Sequence, residues 1–145
     1  MKVNINIDKS IAETNVTINA REMSKDVENL VAILNNASDA NIVCYKNNLI
    51  YFIEKEEAIR FYMFDNAISV ETMKDTYTVK SRLKILEEIL GNNFIRISSS
   101  EIININYISH VDLSDKGTIK IIFKNKEFTY ASRRNVSLIK ERLGI

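Results

Sequence analysis

Two arginines stand side by side near the end of the chain, in "YASRRNVSLIKERL", and the setting suits anion chemistry. Ser132 precedes a run in which Val136, Ile139 and Leu143 recur at helical spacing, so its hydroxyl is placed to cap the free N–H groups of a terminal helix. Arg133 and Arg134 then fall at the positive end of that helix, where exposed cations oppose the macrodipole and cost about 0.3–1 kcal/mol each. Guanidinium groups there can hold phosphate or the paired acceptors of guanine. The competing reading pairs Arg134 with a nearby acid such as Glu127.

A second stretch, "NNFIRISSSEIININYI" from Asn92 to Ile108, puts an arginine and three serines into an otherwise apolar alternation. Ile95 and Ile97 point to one face of a strand, so Phe94, Arg96 and Ser98 point to the other. Short hydroxyl side chains let a loop approach a nucleic-acid groove and can donate to phosphate or to either base type. Serines are also ordinary turn formers, so this stretch alone leaves both readings open.

Catalysis has little to work with. Cys44 is the only thiol and sits in an apolar strand pattern, and His110 is the only imidazole. Each reads as a structural residue rather than as a nucleophile or base. The serines at 98–100 lack the strand-turn-helix setting of a nucleophile elbow, and Gly91, Gly117 and Gly144 all fall at caps or turns. No enzyme activity, metal or cofactor is expected.

With 145 residues, 46% hydrophobic and 27% charged, the chain fits one globular domain with a small appendage. No apolar run approaches the roughly 20 residues that span a bilayer. "MKVNINIDKS" has no continuous apolar core of a signal peptide, and one cysteine allows no internal disulfide, so a cytoplasmic location is expected. The net charge of +1 conceals an asymmetry: residues 1–39 carry a net of −2, residues 76–145 a net of +5. A basic C-terminal half suits a polyanion-facing domain, although such a balance is also common on soluble surfaces.

The elements that must hold these residues follow from periodicity. Lys2–Asp8 and Asn15–Ala20 alternate as half-buried strands, and Ser24 can cap a helix with Val27, Leu30, Val31 and Leu34 on one face. This gives a small β-β-α unit over residues 1–40, ended by the turn cluster Asn35–Asn41. From residue 41 onward the pattern is mostly strand. Asn47-Asn48 and Asp65-Asn66 mark hairpin turns, Thr76–Val79 is a short strand, and Leu83, Leu86, Ile89 and Leu90 make one helical face closed by Gly91. Strands are then expected at Phe94–Ile97, Ile102–Val111, "TIKIIF" and "EFTYA", followed by the terminal helix. No two helices joined by a tight turn are expected, which argues against a helix-turn-helix reader.

"FIRISSSEIININYI" followed by "KNKEFTYASRRNVSLIKERL" resembles the LytTR-type DNA-binding domain, through Phe94, Ile95, Arg96, Ile97, Ser98, Ser100, Ile102, Asn104, Ser132, Arg133 and Arg134. "TYTVKSRLKILEEIL" is similar to that family's helix entry, through Tyr77, Val79, Leu83, Leu86, Glu87 and Leu90. The resemblance runs from about Asn48 to Leu143. It implies a mostly β (α+β) fold of about ten short strands with one or two short helices, here preceded by the β-β-α unit. It also implies that loops and the start of the last helix read duplex DNA in the major groove. The family's three DNA-facing loops map onto Phe64–Ala67 with Asn66 and Ala67, onto Ser98 and Ser99, and onto Arg133, Arg134 and Asn135, with Arg96 in support. Ser99 departs from the pattern, since the family usually has Arg, Lys or Asn there. Asn135 stands where many members have an aromatic residue.

The expectation is a transcriptional regulator acting on repeated promoter half-sites in double-stranded DNA, as a homodimer, with no small-molecule substrate. Forty N-terminal residues are too few for a phosphorylatable receiver domain, so they serve pairing or a partner. A co-encoded membrane protein is one candidate for that partner. The alternative is a module of the same fold that sequesters another regulator without binding DNA.

Overall fold

The computed structural model describes residues 1–38 and 41–145, with backbone alone for 35–38. It divides into two compact units, Met1–Asn35 and Asn36–Ile145.

In the first unit the expected helix forms as α1, Lys25–Ser38, and runs into the segment expected to be a turn. The Ser24 hydroxyl accepts from the Val27 amide at 3.3 Å, as an N-cap should. Asp39 and Ala40, the end of the expected boundary turn, lie outside the described residues. The two expected strands do not form. Lys2–Asp8 and Asn15–Ala20 have no strand pairing, and Val3, Ile5 and Ile7 are 72%, 82% and 87% exposed. Alternation makes a strand only when a partner edge takes up its backbone groups, and no described strand belongs to this unit. None of residues 1–34 is buried.

The second unit contains ten strands: β1 Asn41–Lys46, β2 Leu49–Glu54, β3 Arg60–Phe64, β4 Ala67–Glu71, β5 Thr76–Val79, β6 Phe94–Ser98, β7 Glu101–Asn104, β8 Ile108–Asp112, β9 Lys120–Phe123 and β10 Phe128–Tyr130. Helices α2, Leu83–Ile89, and α3, Val136–Leu143, complete it. Seven strands pair in the order β2-β1-β5-β4-β3-β7-β6, and three in the order β10-β9-β8. The hairpin turns are set by side-chain chemistry. Asn47 and Asn48 have φ of 50° and 64°, and Asp65 and Asn66 have 53° and 61°. Two successive positive φ values match the twist of the flanking strands, and Asn and Asp tolerate them better than other non-glycine residues.

One expected strand is broken. Ile102–Val111 divides into β7 and β8 around a 3-10 turn at Ile105–Tyr107. Asn104 makes the break. It is buried, its side-chain amide donates to the Ala58 carbonyl at 2.9 Å, and its side-chain oxygen accepts from the Asn106 amide at 3.0 Å. That local bond competes with the ladder and carries the chain from one sheet to the other.

Two apolar clusters flank β6 and β7. Phe94 and Ile102 pack with Phe61, Val70, Leu86 and Leu90 in one, and Ile95, Ile97 and Ile103 pack with Ile121, Phe123 and Ile139 in the other. Each such side chain, fully buried, contributes about 1.5–3 kcal/mol. Burial on both faces explains why apolar residues run consecutively there. Ile89, expected inside, is 38% exposed, while Leu83, Leu86 and Leu90 hold α2 down.

Candidate nucleic-acid interface

The turn between β6 and β7 is built by its own serines and by Arg96. The Ser98 hydroxyl accepts from the Ser100 amide at 3.1 Å and lies 3.3 Å from the Ser100 hydroxyl, which closes the turn. The pairing register shifts between Arg96 and Ser98, so the strand bulges as it enters the turn. Arg96 faces out of the strand, as its position requires, and then folds back. Its Nε donates to the Ser98 carbonyl at 3.0 Å, Nη2 to the Ser99 carbonyl at 2.7 Å, and Nη1 to Glu87 at 3.1 Å. Arg96 is therefore occupied in holding the turn to α2. Among the described residues, the exposed Ser99 hydroxyl has no hydrogen-bond partner.

The arginine pair is tied to the same turn through backbone. The Ser132 amide donates to the Ile97 carbonyl at 2.9 Å, one residue before Ser98. Arg133–Asn135 form a 3-10 turn that leads into α3, so both arginines stand just ahead of the α-helix rather than in its first turn. The expected Ser132 cap is absent. The helical turn is closed instead by the Asn135 amide on the Ser132 carbonyl at 2.9 Å, and the Ser132 hydroxyl is buried without a partner. Arg133 and Arg134 are exposed and make no ion pair among the described residues, so Arg134 does not pair with Glu127.

Two adjoining depressions collect these side chains. A shallow one of about 360 Å³ is lined by Ser98, Ser99, Arg96, Arg134, Asn135 and Glu87. A larger cleft of about 780 Å³ is lined by Asn66 and Ala67 from the β3–β4 turn, by Arg96 and Ser99, and by residues of the β5–α2 connection. Seven of the eight expected site residues thus line one continuous surface, and Arg133 stands exposed beside Arg134. The β3–β4 turn is held to it because the Met63 amide donates to the Ser100 carbonyl at 2.9 Å.

The same unit holds a polar cluster that sequence reasoning missed. Arg60 bonds Glu71 at 2.5 Å and Glu101 at 3.1 Å, and Glu101 accepts from the Thr129 hydroxyl at 2.6 Å. Burial works against the Arg60 charge, but the hydrogen bond and field of Glu71, with those of Glu101, outweigh it and raise its pKa above the ordinary guanidinium value. The cluster locks β3, β4, β7 and β10 together. Only residue-to-residue register could have revealed it, because its members lie 11 to 41 positions apart. Glu87 was also missed as a site neighbour. Its nine-residue separation from Arg96 is not a helix or strand period.

Cys44 is fully buried in the first apolar cluster, where desolvation pushes its thiol pKa up. His110 is exposed on β8, 3.1 Å from the Ser109 hydroxyl. No group of three potential metal ligands occurs among the described residues.

The family model of the LytTr DNA-binding domain matches residues 48–144. An uncharacterized HTH-type transcriptional regulator of Staphylococcus aureus, strain COL, is 34% identical over 100% of this chain and 99% of its own length. A counterpart from a bovine strain is 33% identical with the same coverage. Despite that name, no two helices among the described residues are joined by a tight turn, since five strands separate α2 from α3. The solved LytTr DNA-binding domain of a DNA response regulator from Bacillus cereus superposes with a TM-score of 0.70, covering 73% of this chain and 98% of that one at 21% identity, a likeness of fold. With the family model spanning more than half of the sequence and the ten-strand fold agreeing, this chain belongs to the LytTr DNA-binding domain family.

Proposed function

We propose that the chain regulates transcription by binding specific duplex DNA, with three turns entering the major groove. The observation that carries this reading is the common surface formed by the Ser99 turn and the Arg134 turn, joined through Ser132 and Ile97. Arg134 is the base reader, able to make a bidentate pair with guanine, and Arg133 is a phosphate contact. Ser99 and Asn135 approach the groove closely, Asn66 and Ala67 extend the contact on the far side, and Arg96 and Ser98 shape the turn. The chain acts without catalysis and in the cytoplasm, and no helix among the described residues is long and apolar enough to cross a membrane.

The N-terminal segment, residues 1–40, pairs two copies on repeated half-sites. Its amphipathic α1 and its exposed Val3, Ile5 and Ile7 support this, because residues 1–34, none of them buried, do not make a self-sufficient core. A co-encoded membrane protein is the other proposed partner of the same segment.

A fluorescence-anisotropy titration against DNA upstream of its own gene tests the central reading. Salt-sensitive, sequence-selective binding that loses its selectivity in Arg134→Ala supports it. Binding too weak to measure at low salt would instead favour a module that sequesters another regulator, a reading to which the net charge of +1 and the short Ser99 lend some weight.

A further inference from the structure

Three cations of the second unit are held in ion pairs: Lys46 with Asp75, Arg60 with Glu71 and Glu101, and Arg96 with Glu87. Lys80, Arg82 and Lys84 are among the cations outside these pairs, and they share one concavity. All three are exposed, none makes an ion pair among the described residues, and all three line the 780 Å³ cleft. No carboxylate lines that cleft. Three like charges around one concavity repel each other, and an anion seated there would relieve the repulsion.

The chain holds these side chains in place deliberately in the physical sense that both ends of the segment are pinned. Val79 and Leu83 are each 6% exposed and sit in the first apolar cluster. Between them the backbone is extended at Arg82, with φ −114° and ψ 147°, so Lys80 and Arg82 project to the side opposite the buried residues. The Lys80 ammonium is further restrained 4.3 Å from the centre of the Tyr45 ring. Ser99 and Asn66 line the same cleft, which places it alongside the proposed groove-reading turns. Arg96 also borders it, but each of its three nitrogens already donates to a carbonyl or to Glu87.

We propose that this cleft is a phosphodiester seat, in which Lys80, Arg82 and Lys84 grip the DNA backbone bordering the groove that Ser99 and Arg134 enter. The proposal rests on the DNA-binding reading above and adds a fourth contact region to it. Phosphates line both rims of a major groove about 12 Å wide, so side chains that enter the groove bring a rim over whatever stands beside them. Contacts of this kind set register and salt dependence and carry no base information.

The test uses the full chain, titrated against its cognate duplex and a scrambled duplex over a series of salt concentrations. The variant is Lys80→Gln/Arg82→Gln/Lys84→Gln, with its thermal midpoint checked against wild type. The log–log salt slope should fall by about 0.9 for each phosphate contact removed. Affinity for the two duplexes should fall by the same factor, leaving their ratio at the wild-type value, whereas Arg134→Ala should collapse the ratio. A wild-type slope in the triple variant, or a loss confined to the cognate duplex, overturns the cleft assignment alone. Wild-type protein that binds neither duplex overturns the DNA-binding reading as well. Inorganic phosphate at constant ionic strength should displace duplex more readily from wild type than from the triple variant, because the two compete for the same cations. Phosphate that binds wild type but not the triple variant, while the duplex salt slope is the same in both, would overturn DNA as the source and assign the cleft to free phosphate.

Discussion

The Ser132 amide donates to the Ile97 carbonyl at 2.9 Å, and through that bond two loops far apart in sequence become one surface. Ile97 is fully buried and sits one residue before the serine turn, while Ser132 sits one residue before the arginine pair. Any movement of α3 on its core contact, Ile139, is therefore transmitted to Ser99 as well as to Arg134.

Arg96 should behave as a positioning residue. Arg96→Lys cannot reproduce a planar fork that reaches two carbonyls and a carboxylate at once. Losing charge-assisted bonds of this kind is expected to cost about 1–3 kcal/mol of stability, measured by urea unfolding. DNA affinity should drop while the salt slope stays at the wild-type value. A slope reduced by a full contact would show instead that Arg96 touches phosphate.

Ser99→Arg is expected to tighten binding and narrow sequence preference, because it restores a long side chain to an exposed tip with no competing partner. A bidentate pair gained there is worth about 1–3 kcal/mol of discrimination. Titrating wild type and variant against duplexes with single base changes reads this out. Unchanged affinity across that set would mean that the turn does not enter the groove.

Arg60→Ala should be among the most damaging substitutions, since it leaves Glu71 and Glu101, each with a side chain only 12% exposed, without their cation. Removing one partner of a buried pair costs about 3–5 kcal/mol. Combining it with Glu101→Gln should recover part of that loss in equilibrium unfolding, because the second change removes a stranded charge. Strict additivity of the two would disprove the coupling.

The Lys46–Asp75 pair sets a pH dependence with a definite sign. Lys46, together with the Thr76 amide, holds the Asp75 carboxyl below its ordinary 3.8. Its contribution is present above that value and fades as pH falls through the lowered folded-state pKa. Lys46 is shifted above its ordinary 10.5 by the same hydrogen bond, so its contribution is present below 10.5 and fades as pH rises past the raised value. Both ends are solvent-accessible, so the effect is small. Urea midpoints should fall less steeply in acid for Asp75→Asn than for wild type, and identical acid limbs would rule the pair out.

Deleting residues 1–40 should leave the remainder folded, because every residue of both apolar clusters lies beyond that point. Cooperative occupancy of two half-sites should disappear, while binding to one half-site persists. Gel shifts on one-site and two-site duplexes, with sedimentation to give the assembly state, check this. A full-length chain that stays monomeric at binding concentrations would remove pairing as the role of this segment.

Much of the fold was legible because it rests on local chemistry. Asn47-Asn48 and Asp65-Asn66 announce their turns, since few residues other than glycine accept two positive φ values in succession. Leu83, Leu86 and Leu90 announce α2 by period alone. The division of β7 from β8 was not legible, because apolar alternation runs straight through Asn104, whose side chain makes the break by bonding the Asn106 amide and the distant Ala58 carbonyl. The N-terminal strands failed for the converse reason: alternation was present and a pairing edge was not. Within the site, the outward face of Arg96 was readable, but not its return to the carbonyls of Ser98 and Ser99. Lys80, Arg82 and Lys84 were hidden in what read as a helix entry, although their two-residue spacing was visible throughout.

The economy of the serine turn bears on how its target sites can drift. Two of its carbonyls are taken by Arg96, and the Ser98 hydroxyl is taken by Ser100, so under the proposed DNA reading the Ser99 hydroxyl is the side-chain group left to meet a base. A hydroxyl both donates and accepts, so it is compatible with more than one letter. Aligned binding sites would then show a low-information column under Ser99 beside a fixed guanine under Arg134. Promoters could gain or lose substitutions at that column without leaving the regulon.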